Sequence, residues 1–294
     1  MPERNHQHLV PLDGRFSLRN CSTRPPGGGP SKSELKDELD VLVGRLDRLQ
    51  QILFADQRFA VLAVFQALDA AGKDSAIRKV FSGVNPAGCL VHAFGRPSEL
   101  ELRHDFLARI VARLPERGKI GIFNRSHYEE VLVVRVHPEL LQAQRLPHVD
   151  GKRIWDQRFE SIREFERHLA RNGTLIVKFW LNVSREEQKK RFISRIEDVH
   201  KNWKFRLGDL DDRARWQNYM AAYEAMLRET SREWAPWYAI PADDKPYMRV
   251  AVARVMVETL ERQRLAYPKL DTRQKRELDE GLRRLRTEDE DAGE

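Results

Sequence analysis

Residues 66–73, QALDAAGK, could bind phosphate groups. An apolar run from Phe59 to Phe65 precedes them, and a helical pattern follows at once. In a strand–loop–helix arrangement of this kind, the backbone N–H groups of the loop and the helix N-terminus point at an anion, and a lysine adds positive charge. Gly72 would allow the backbone to approach the ligand closely. This spacing predicts a phosphate loop that ends at Lys73.

The loop departs from the standard pattern G-x-x-x-x-G-K-[ST] at two positions. Ala67 replaces the first glycine, and Asp74 replaces the hydroxyl residue that usually binds magnesium. Either Ser75 supplies that hydroxyl or none does. Asp69 could hold the cation instead, because Mg²⁺ prefers carboxylate oxygen. An ordinary strand-to-helix turn with an incidental lysine is the alternative interpretation.

A second polar cluster follows another short apolar segment, in residues 119–130, KIGIFNRSHYEE. Asn124, Arg125, Glu129 and Glu130 come directly after the apolar positions. Ligands of open α/β sheets bind outside the carboxyl ends of the strands. We therefore expect this cluster to lie beside Lys73 if the two strands are neighbours.

Basic residues are concentrated again between positions 189 and 206, within a candidate lid over about 189–215. Mobile cations of this kind close over phosphates in phosphoryl-transfer enzymes. The bases of this cluster are Lys189, Lys190, Arg191, Arg195, Lys201, Lys204 and Arg206. A solvated helix face with i,i+4 ion pairs is the competing interpretation.

Alternating strand and helix patterns predict a mainly parallel sheet with helices on both faces. A capping box of Ser98 and Glu101 also predicts a helix that continues to Arg113. The candidate strands are 59–65, 89–94, 120–123, 174–181 and 237–240.

Composition indicates a globular protein with solvated helices. The chain has 294 residues, 41% hydrophobic content and a formal net charge of +7, so polyanions are plausible partners. No apolar run approaches the roughly 18 residues that span a bilayer, and the polar N-terminus lacks the apolar core of a signal peptide. With only two cysteines, we expect a reduced cytoplasm. We predict an arm and flexible linker (1–33), a catalytic domain (34–268) and a charged tail (269–294).

Four segments together resemble the polyphosphate kinase 2 family. The motifs DAAGKD and FNRSHYE resemble its class III branch, which accepts nucleoside monophosphates as well as diphosphates. The likeness covers about residues 34–265. It implies a P-loop kinase-like three-layer α/β/α fold with a helical lid, and phosphoryl transfer between inorganic polyphosphate and ADP or AMP. The segments are FQALDAAGKDSAIRKVFSGVNPAG (65–88), IFNRSHYEEVLVVRVHPE (122–139), KFRLGDLDDRARW (204–216) and WAPWYAIPADDK (234–245).

The resemblance also implies roles for individual residues. The implied catalytic residues are Asp69, Lys73, Arg125, Glu129 and Arg135. The implied phosphate- or nucleotide-binding residues are Ala70, Ala71, Gly72, Asp74, Ser75, Arg78, Asn124, Lys204 and Arg206. The implied ligands of Mg²⁺ (or Mn²⁺) are Asp69, Asn124 and Glu130, although Asn124 stands where many family members have aspartate.

The expected partners are polyphosphate and adenine or guanine nucleotides, with no nucleic acid and no membrane, in a homo-oligomer (dimer or tetramer). Two other functions remain open. One is an ATP-dependent nucleoside or nucleotide kinase of the same fold. The other is a non-catalytic module that binds nucleic acid or another polyanion.

Overall fold

A central sheet contains the five predicted strands. In the computed structural model, which describes residues 6–151 and 153–291, all of them pair in parallel in the order β2-β3-β1-β4-β5. The central strand β1 is buried along its whole length, as its continuous apolar run predicts. The predicted fold class is therefore confirmed. The strands are β1 (Ala60–Gln66), β2 (Cys89–Ala93), β3 (Ile120–Asn124), β4 (Thr174–Asn182) and β5 (Trp237–Pro241).

Helices cover both faces of this sheet. The first helix begins with a capping box of Ser31 and Glu34, and the leucines at its buried positions pack into the core. The helices are α1 (Lys32–Asp56), α2 (Lys73–Val80), α3 (Ala108–Val111), α4 (Val133–Val136), α5 (Pro138–Ala143), α6 (Ile154–Arg171), α7 (Arg185–Glu197), α8 (Gly208–Ala214), α9 (Trp216–Thr230), α10 (Lys245–Glu261) and α11 (Thr272–Asp291).

The register of the sheet brings the two polar clusters together. Phe65 at the end of β1 is paired with Asn124 at the end of β3. On the other side of β1, Gln66 is paired with Trp180 of β4. The strand order changes direction around β1, and such a switch point opens a crevice outside the carboxyl ends of the strands. The loop after β1 lies at that crevice.

Part of the segment predicted as an arm and flexible linker (1–33) is attached to the sheet. Its backbone pairs with the outer strand: the Val10 N–H donates to the Trp237 carbonyl at 2.9 Å, and the Ala239 N–H donates to the His8 carbonyl at 2.8 Å. Val10 itself is buried. Backbone hydrogen bonds to the free edge of β5 therefore fix the arm over this stretch.

The predicted helix from Ser98 to Arg113 is wrong in extent. The capping box forms, but it leads only into a 3₁₀ turn, Glu101–Arg103, and the one-turn helix α3 follows later. The Asp105 side chain accepts from the Leu107 N–H at 2.9 Å. This local hydrogen bond competes with the helical ladder and interrupts the helix.

No helix within 6–151 and 153–291 combines the length and the apolar character needed to cross a membrane.

Candidate active site

The loop between β1 and α2 has the backbone geometry of an anion site. Gly72 has a φ of 109° and Ala70 a φ of 61°, so two of its residues adopt left-handed conformations. Glycine adopts such a φ readily, whereas alanine does so at a cost. Left-handed residues between right-handed ones turn consecutive N–H groups toward one side, where an anion can bind.

Lys73 is buried at the start of α2. Its Nζ donates to the Ala67 carbonyl at 2.5 Å and approaches the Leu68 carbonyl at 3.5 Å. Burial lowers the pKa of Lys73 to about 8, and Arg125 acts in the same direction, whereas Asp69 opposes the shift. The ammonium group is therefore held inside the loop by carbonyl groups that a phosphate could replace.

Arg125 links the loops after β1 and β3. It donates to the Asp69 carboxylate at 2.7 Å and lies 3.5 Å from the Glu129 carboxylate. Burial alone would raise the pKa of Asp69, but Lys73 and Arg125 together lower it. Burial raises the pKa of Glu129 in spite of the same two cations. Asp69 therefore stays ionised at neutral pH between two cations.

Contacts of Asp74 join the first turn of α2 to the lid. The Asn124 amide donates to Asp74 at 2.8 Å, and Lys204 lies 3.5 Å from the same carboxylate. Burial alone would raise the pKa of Asp74, but the Asn124 hydrogen bond and then Lys204 lower it. Arg206 is exposed, and its backbone contacts the lid residue Asp209: its N–H donates to the Asp209 carboxylate at 3.5 Å, and its carbonyl accepts from the Asp209 N–H at 3.0 Å.

Two side chains from α7 brace the loop from outside, and neither was predicted as a site residue. Arg191 donates to the Ala71 carbonyl and to the Ala242 carbonyl, each at 2.6 Å. Gln188 donates to the Asp69 carbonyl at 2.9 Å. They fix the loop backbone rather than present charge to a ligand.

Cations gather on one side of the loop. Arg249 of α10 donates to the Ser75 hydroxyl at 2.6 Å, and its Nε is buried without a hydrogen-bond partner. Burial lowers the pKa of Arg249, and Arg78 and Arg191 lower it further. Burial and then Arg191 and Arg249 likewise lower the pKa of Lys245. Like charges held this close suit a ligand with several negative charges.

A cavity lies on the other side of Asp69 and Arg125. Its walls carry carboxylates and tyrosines as well as the basic residues Arg125 and Arg213. Tyr219 donates to Asp212 at 2.9 Å, and Arg195 lies 3.5 Å from Asp209. The two sides of the loop therefore differ in charge. The cavity-lining residues include Glu129, Gln188, Asp209, Asp212, Arg213, Tyr219 and Tyr223.

Comparison with known proteins decides the family. The model of the Polyphosphate kinase 2 (PPK2) family matches residues 29–268. The chain belongs to the polyphosphate kinase 2 family. The sequence resemblance is thus confirmed for nearly all of the folded part.

Relatives of this polyphosphate kinase 2 chain match over most of their length. An ADP-polyphosphate phosphotransferase from Rhodopseudomonas palustris is 53% identical over 250 residues, covering 84% of this chain and 86% of that protein. An AMP/ADP-polyphosphate phosphotransferase from Meiothermus ruber is 46% identical over 269 residues, covering 90% and 96%. The crystal structure of Polyphosphate Kinase 2 from Arthrobacter aurescens matches with a TM-score of 0.81 and 36% identity, covering 92% of this chain and 97% of that one.

Two residues implied by the polyphosphate kinase 2 resemblance have their described side-chain contacts outside the phosphate loop. Glu130 accepts two hydrogen bonds from Gln144, at 2.9 and 3.0 Å, and lies 3.1 Å from Arg158. Its carboxylate is therefore already satisfied in a different network, because neighbouring residues of the 3₁₀ turn His127–Val131 point in different directions.

Arg135, predicted as a catalytic residue, contacts aromatic rings. Its guanidinium carbon lies 5.7 Å from the ring centre of Trp155 and 6.0 Å from that of Phe159. Burial lowers the pKa of this guanidinium. Arg135 packs against aromatic rings of α6 and makes no described contact with the phosphate loop.

The expected magnesium ligands of this polyphosphate kinase 2 chain have different hydrogen-bond partners. Asp69 pairs with Arg125, Asn124 donates its amide to Asp74, and Glu130 is engaged as described above. Across 6–151 and 153–291, no three histidine, cysteine, aspartate or glutamate residues are grouped as metal ligands. A complete protein cage for the ion is therefore absent from the described part of the chain.

A buried ionic network supports the turn that carries Glu129. Lys178 of β4 donates to Glu166 at 2.6 Å and to the Tyr128 hydroxyl at 2.7 Å, and Tyr128 donates to Glu166 at 2.7 Å. Lys178 also donates to the Thr230 carbonyl at 2.9 Å. Tyr128 immediately precedes Glu129, so the network holds the backbone of the site from behind.

Proposed function

We propose that this protein transfers the terminal phosphoryl group of inorganic polyphosphate to a terminal phosphate oxygen of ADP or AMP, which yields ATP or ADP. The observation that carries the proposal is the convergence of Lys73, Asp69 and Arg125 at the ends of two adjacent parallel strands. The names of the Rhodopseudomonas and Meiothermus relatives support the same reaction. The DAAGKD and FNRSHYE segments favour acceptance of AMP as well as ADP.

The transfer requires little covalent chemistry from the protein. A phosphate oxygen of the acceptor forms a bond to the terminal phosphorus of the polyphosphate. The bond from that phosphorus to its bridging oxygen breaks, and the shortened polyphosphate leaves with the electron pair. The attacking oxygen is already ionised, so no general base is needed. Positioning and charge neutralisation lower the barrier.

Each residue at the crevice has a role that follows from its contacts. Lys73 exchanges its carbonyl partners for oxygens of the transferring phosphoryl group, while the loop N–H groups bind the same oxygens. Arg125 neutralises charge that develops between donor and acceptor. Lys204 and Arg206 close from the lid.

The charge difference between the two sides of the loop suggests where each substrate binds. The cations Arg78, Lys245 and Arg249 face the polyphosphate donor, which carries many negative charges. The nucleotide acceptor enters on the side of Tyr219 and Tyr223, where carboxylates can accept hydrogen bonds from a ribose. The cavity of about 30 Å³ there is too small for a nucleotide, so the lid has to open before the acceptor binds.

Mg²⁺, or Mn²⁺ in its place, fits the site through Asp69, together with substrate phosphates and water. Burial and then the Asp69 charge raise the pKa of Asp209, so carboxylates are crowded around this position. Mg²⁺ usually takes one or two carboxylates and completes its shell with phosphates and water. When bound, the ion would neutralise charge on the phosphoryl oxygens.

A donor assay tests the proposal. Purified protein is incubated with Mg²⁺, polyphosphate and either ADP or AMP, and ATP or ADP is measured by coupled luminescence. ATP formed from ADP and polyphosphate, with no second nucleotide, supports it. Turnover only with ATP as donor would identify an ATP-dependent nucleotide kinase. Salt-sensitive DNA binding without turnover would identify a non-catalytic module.

We also propose the cytoplasm as the location of the reaction. Cys21 and Cys89 are both free, as expected in a reducing compartment. Recovery of the native protein in a periplasmic or extracellular fraction would contradict this.

A further inference from the structure

Helix α11 carries an apolar stripe that the described part of its own chain leaves uncovered. Leu278, Leu282 and Leu285 are 59%, 50% and 62% exposed. Their spacing of four and three residues places them on one face of the helix. Every other side chain described between 272 and 287 is also exposed or half-buried.

Helices in proteins gain most of their stability from packing of an apolar face, and α11 lacks that packing among the described residues. Gly281 in its middle lowers the stability further. Pairs such as Arg273 with Glu277 and Arg284 with Glu280, each at 2.8 Å, contribute only a few tenths of a kcal/mol each. A partner that covers the leucines would supply the missing stabilisation.

Charges beside the stripe indicate what that partner is. If Leu278, Leu282 and Leu285 take the d, a and d positions of a heptad, Asp279 and Arg286 both take e positions. These two charges have no ion-pair partner among the described residues, unlike the acidic and basic residues paired within the helix. Charged e positions select the partner and its orientation in coiled coils.

A second copy of α11 in antiparallel orientation satisfies both charges. When Leu282 packs against Leu285 of the partner subunit, e positions face e positions across the seam. Asp279 then meets the partner's Arg286, and Arg286 meets the partner's Asp279. In a parallel pair the same residues would face g positions, occupied by Gln274 and Gly281. Only the antiparallel pair is charge-complementary, and it has the two-fold symmetry of most homodimers.

We propose that α11 is a self-association element, which joins two copies of this chain as an antiparallel helix pair. The interface has few residues and belongs to the small, reversible class, so assembly through it depends on protein concentration. This inference is independent of the proposed function.

Sedimentation equilibrium of the full chain over a concentration series tests it. The wild type is expected to show a reversible association step, and Leu282→Lys is expected to lose that step. Asp279→Arg alone places two like-charged pairs across the seam, and so does Arg286→Asp alone. Each single variant should weaken association at least tenfold, and the double variant should restore it.

Arg276→Asp is the matched control, because it makes the same charge change as Arg286→Asp on the outward face of the helix. It should associate like the wild type. A wild type that shows no association, an unchanged Leu282→Lys variant, or a double variant that fails to recover would overturn the proposal. Polyphosphate turnover is measured in parallel, and its absence from the wild type would count against the proposed function only.

Discussion

Arg125 donates a hydrogen bond to the Asp69 carboxylate at 2.7 Å, and this pair ties the loop after β1 to the loop after β3. Arg125 has a φ of 64°, a left-handed conformation that non-glycine residues adopt at a cost. Backbone strain is thus present both in the phosphate loop after β1 and at Arg125 after β3. Residues held in strained conformations are commonly found at functional sites.

Asp69→Asn should abolish most of the activity while the protein remains folded. The change removes the negative charge that balances Arg125 and that we expect to bind the metal ion. We expect kcat with polyphosphate and ADP to fall on the order of 10³-fold or more. Steady-state kinetics measures the loss, and thermal unfolding checks the fold. Asp47→Asn, on the exposed face of α1, is the matched control and should retain full activity. A folded Asp69→Asn variant with near-normal kcat would reject the assigned role.

The pKa of Lys73 predicts a pH dependence. Burial lowers this pKa to about 8, so the free enzyme loses the ammonium charge as the pH rises through about 8. The ratio kcat/KM reports the free enzyme and should fall on the alkaline side of that value. Bound phosphates favour the charged lysine, so kcat should persist to higher pH. A kcat/KM profile that stays flat up to pH ~10, well above that pKa, would contradict the assignment.

The strands and the phosphate loop could be predicted because their signals are local. β1 is a continuous apolar run, and Gly72-Lys73 directly follows its loop. No local signal in the sequence shows that the neighbouring carboxylates of Glu129 and Glu130 have different partners. Glu129 contacts Arg125 whereas Glu130 contacts Gln144 and Arg158, and the difference depends on how one short turn is oriented in the folded protein.

The sequence does not predict which residues of distant helices contact the phosphate loop. Arg191 lies 120 positions from the carbonyl of Ala71 that it binds, and Arg249 lies 174 positions from Ser75. Arg191 stood out only as one of several bases in the lid cluster. Its bracing role depends on the packing of α7 against the loop, which periodicity does not predict.

Arg249→Gln should weaken binding of the polyphosphate donor. The glutamine removes one positive charge from the group that we assign to distal phosphates. We expect KM for long polyphosphate to rise roughly tenfold, equivalent to about 1.4 kcal/mol. KM for ADP should change little. Arg254→Gln removes the same charge five residues further along α10, where the arginine pairs with Glu38, and serves as the control.

The length of the polyphosphate substrate shows whether Arg249 binds phosphates far from the loop or contributes to substrate binding in general. Tripolyphosphate is too short to reach far beyond the loop, so its KM should be less affected by Arg249→Gln. A rise in KM for ADP without a change for polyphosphate would mean that these cations bind the nucleotide instead.

Lys178→Ala should destabilise the protein strongly, because it leaves Glu166 buried without its cation. Removal of one partner from a buried ion pair typically costs about 3–5 kcal/mol. The free energy of unfolding from urea titrations measures the effect. Tyr128→Phe removes one hydroxyl from the same network and should cost about 1–3 kcal/mol. Lys189→Ala, on the exposed face of α7, should change stability by less than about 0.5 kcal/mol.

A double variant, Lys178→Met with Glu166→Leu, shows whether the unpaired charge is the cause. Both ionic groups are then replaced by apolar side chains, and such replacements are often close to neutral. The double variant should therefore be more stable than Lys178→Ala, although it lacks both members of the pair. If it is instead less stable than the single variant, the ion pair itself stabilises the fold. The turn from His127 to Val131 would then depend on the attraction between Lys178 and Glu166.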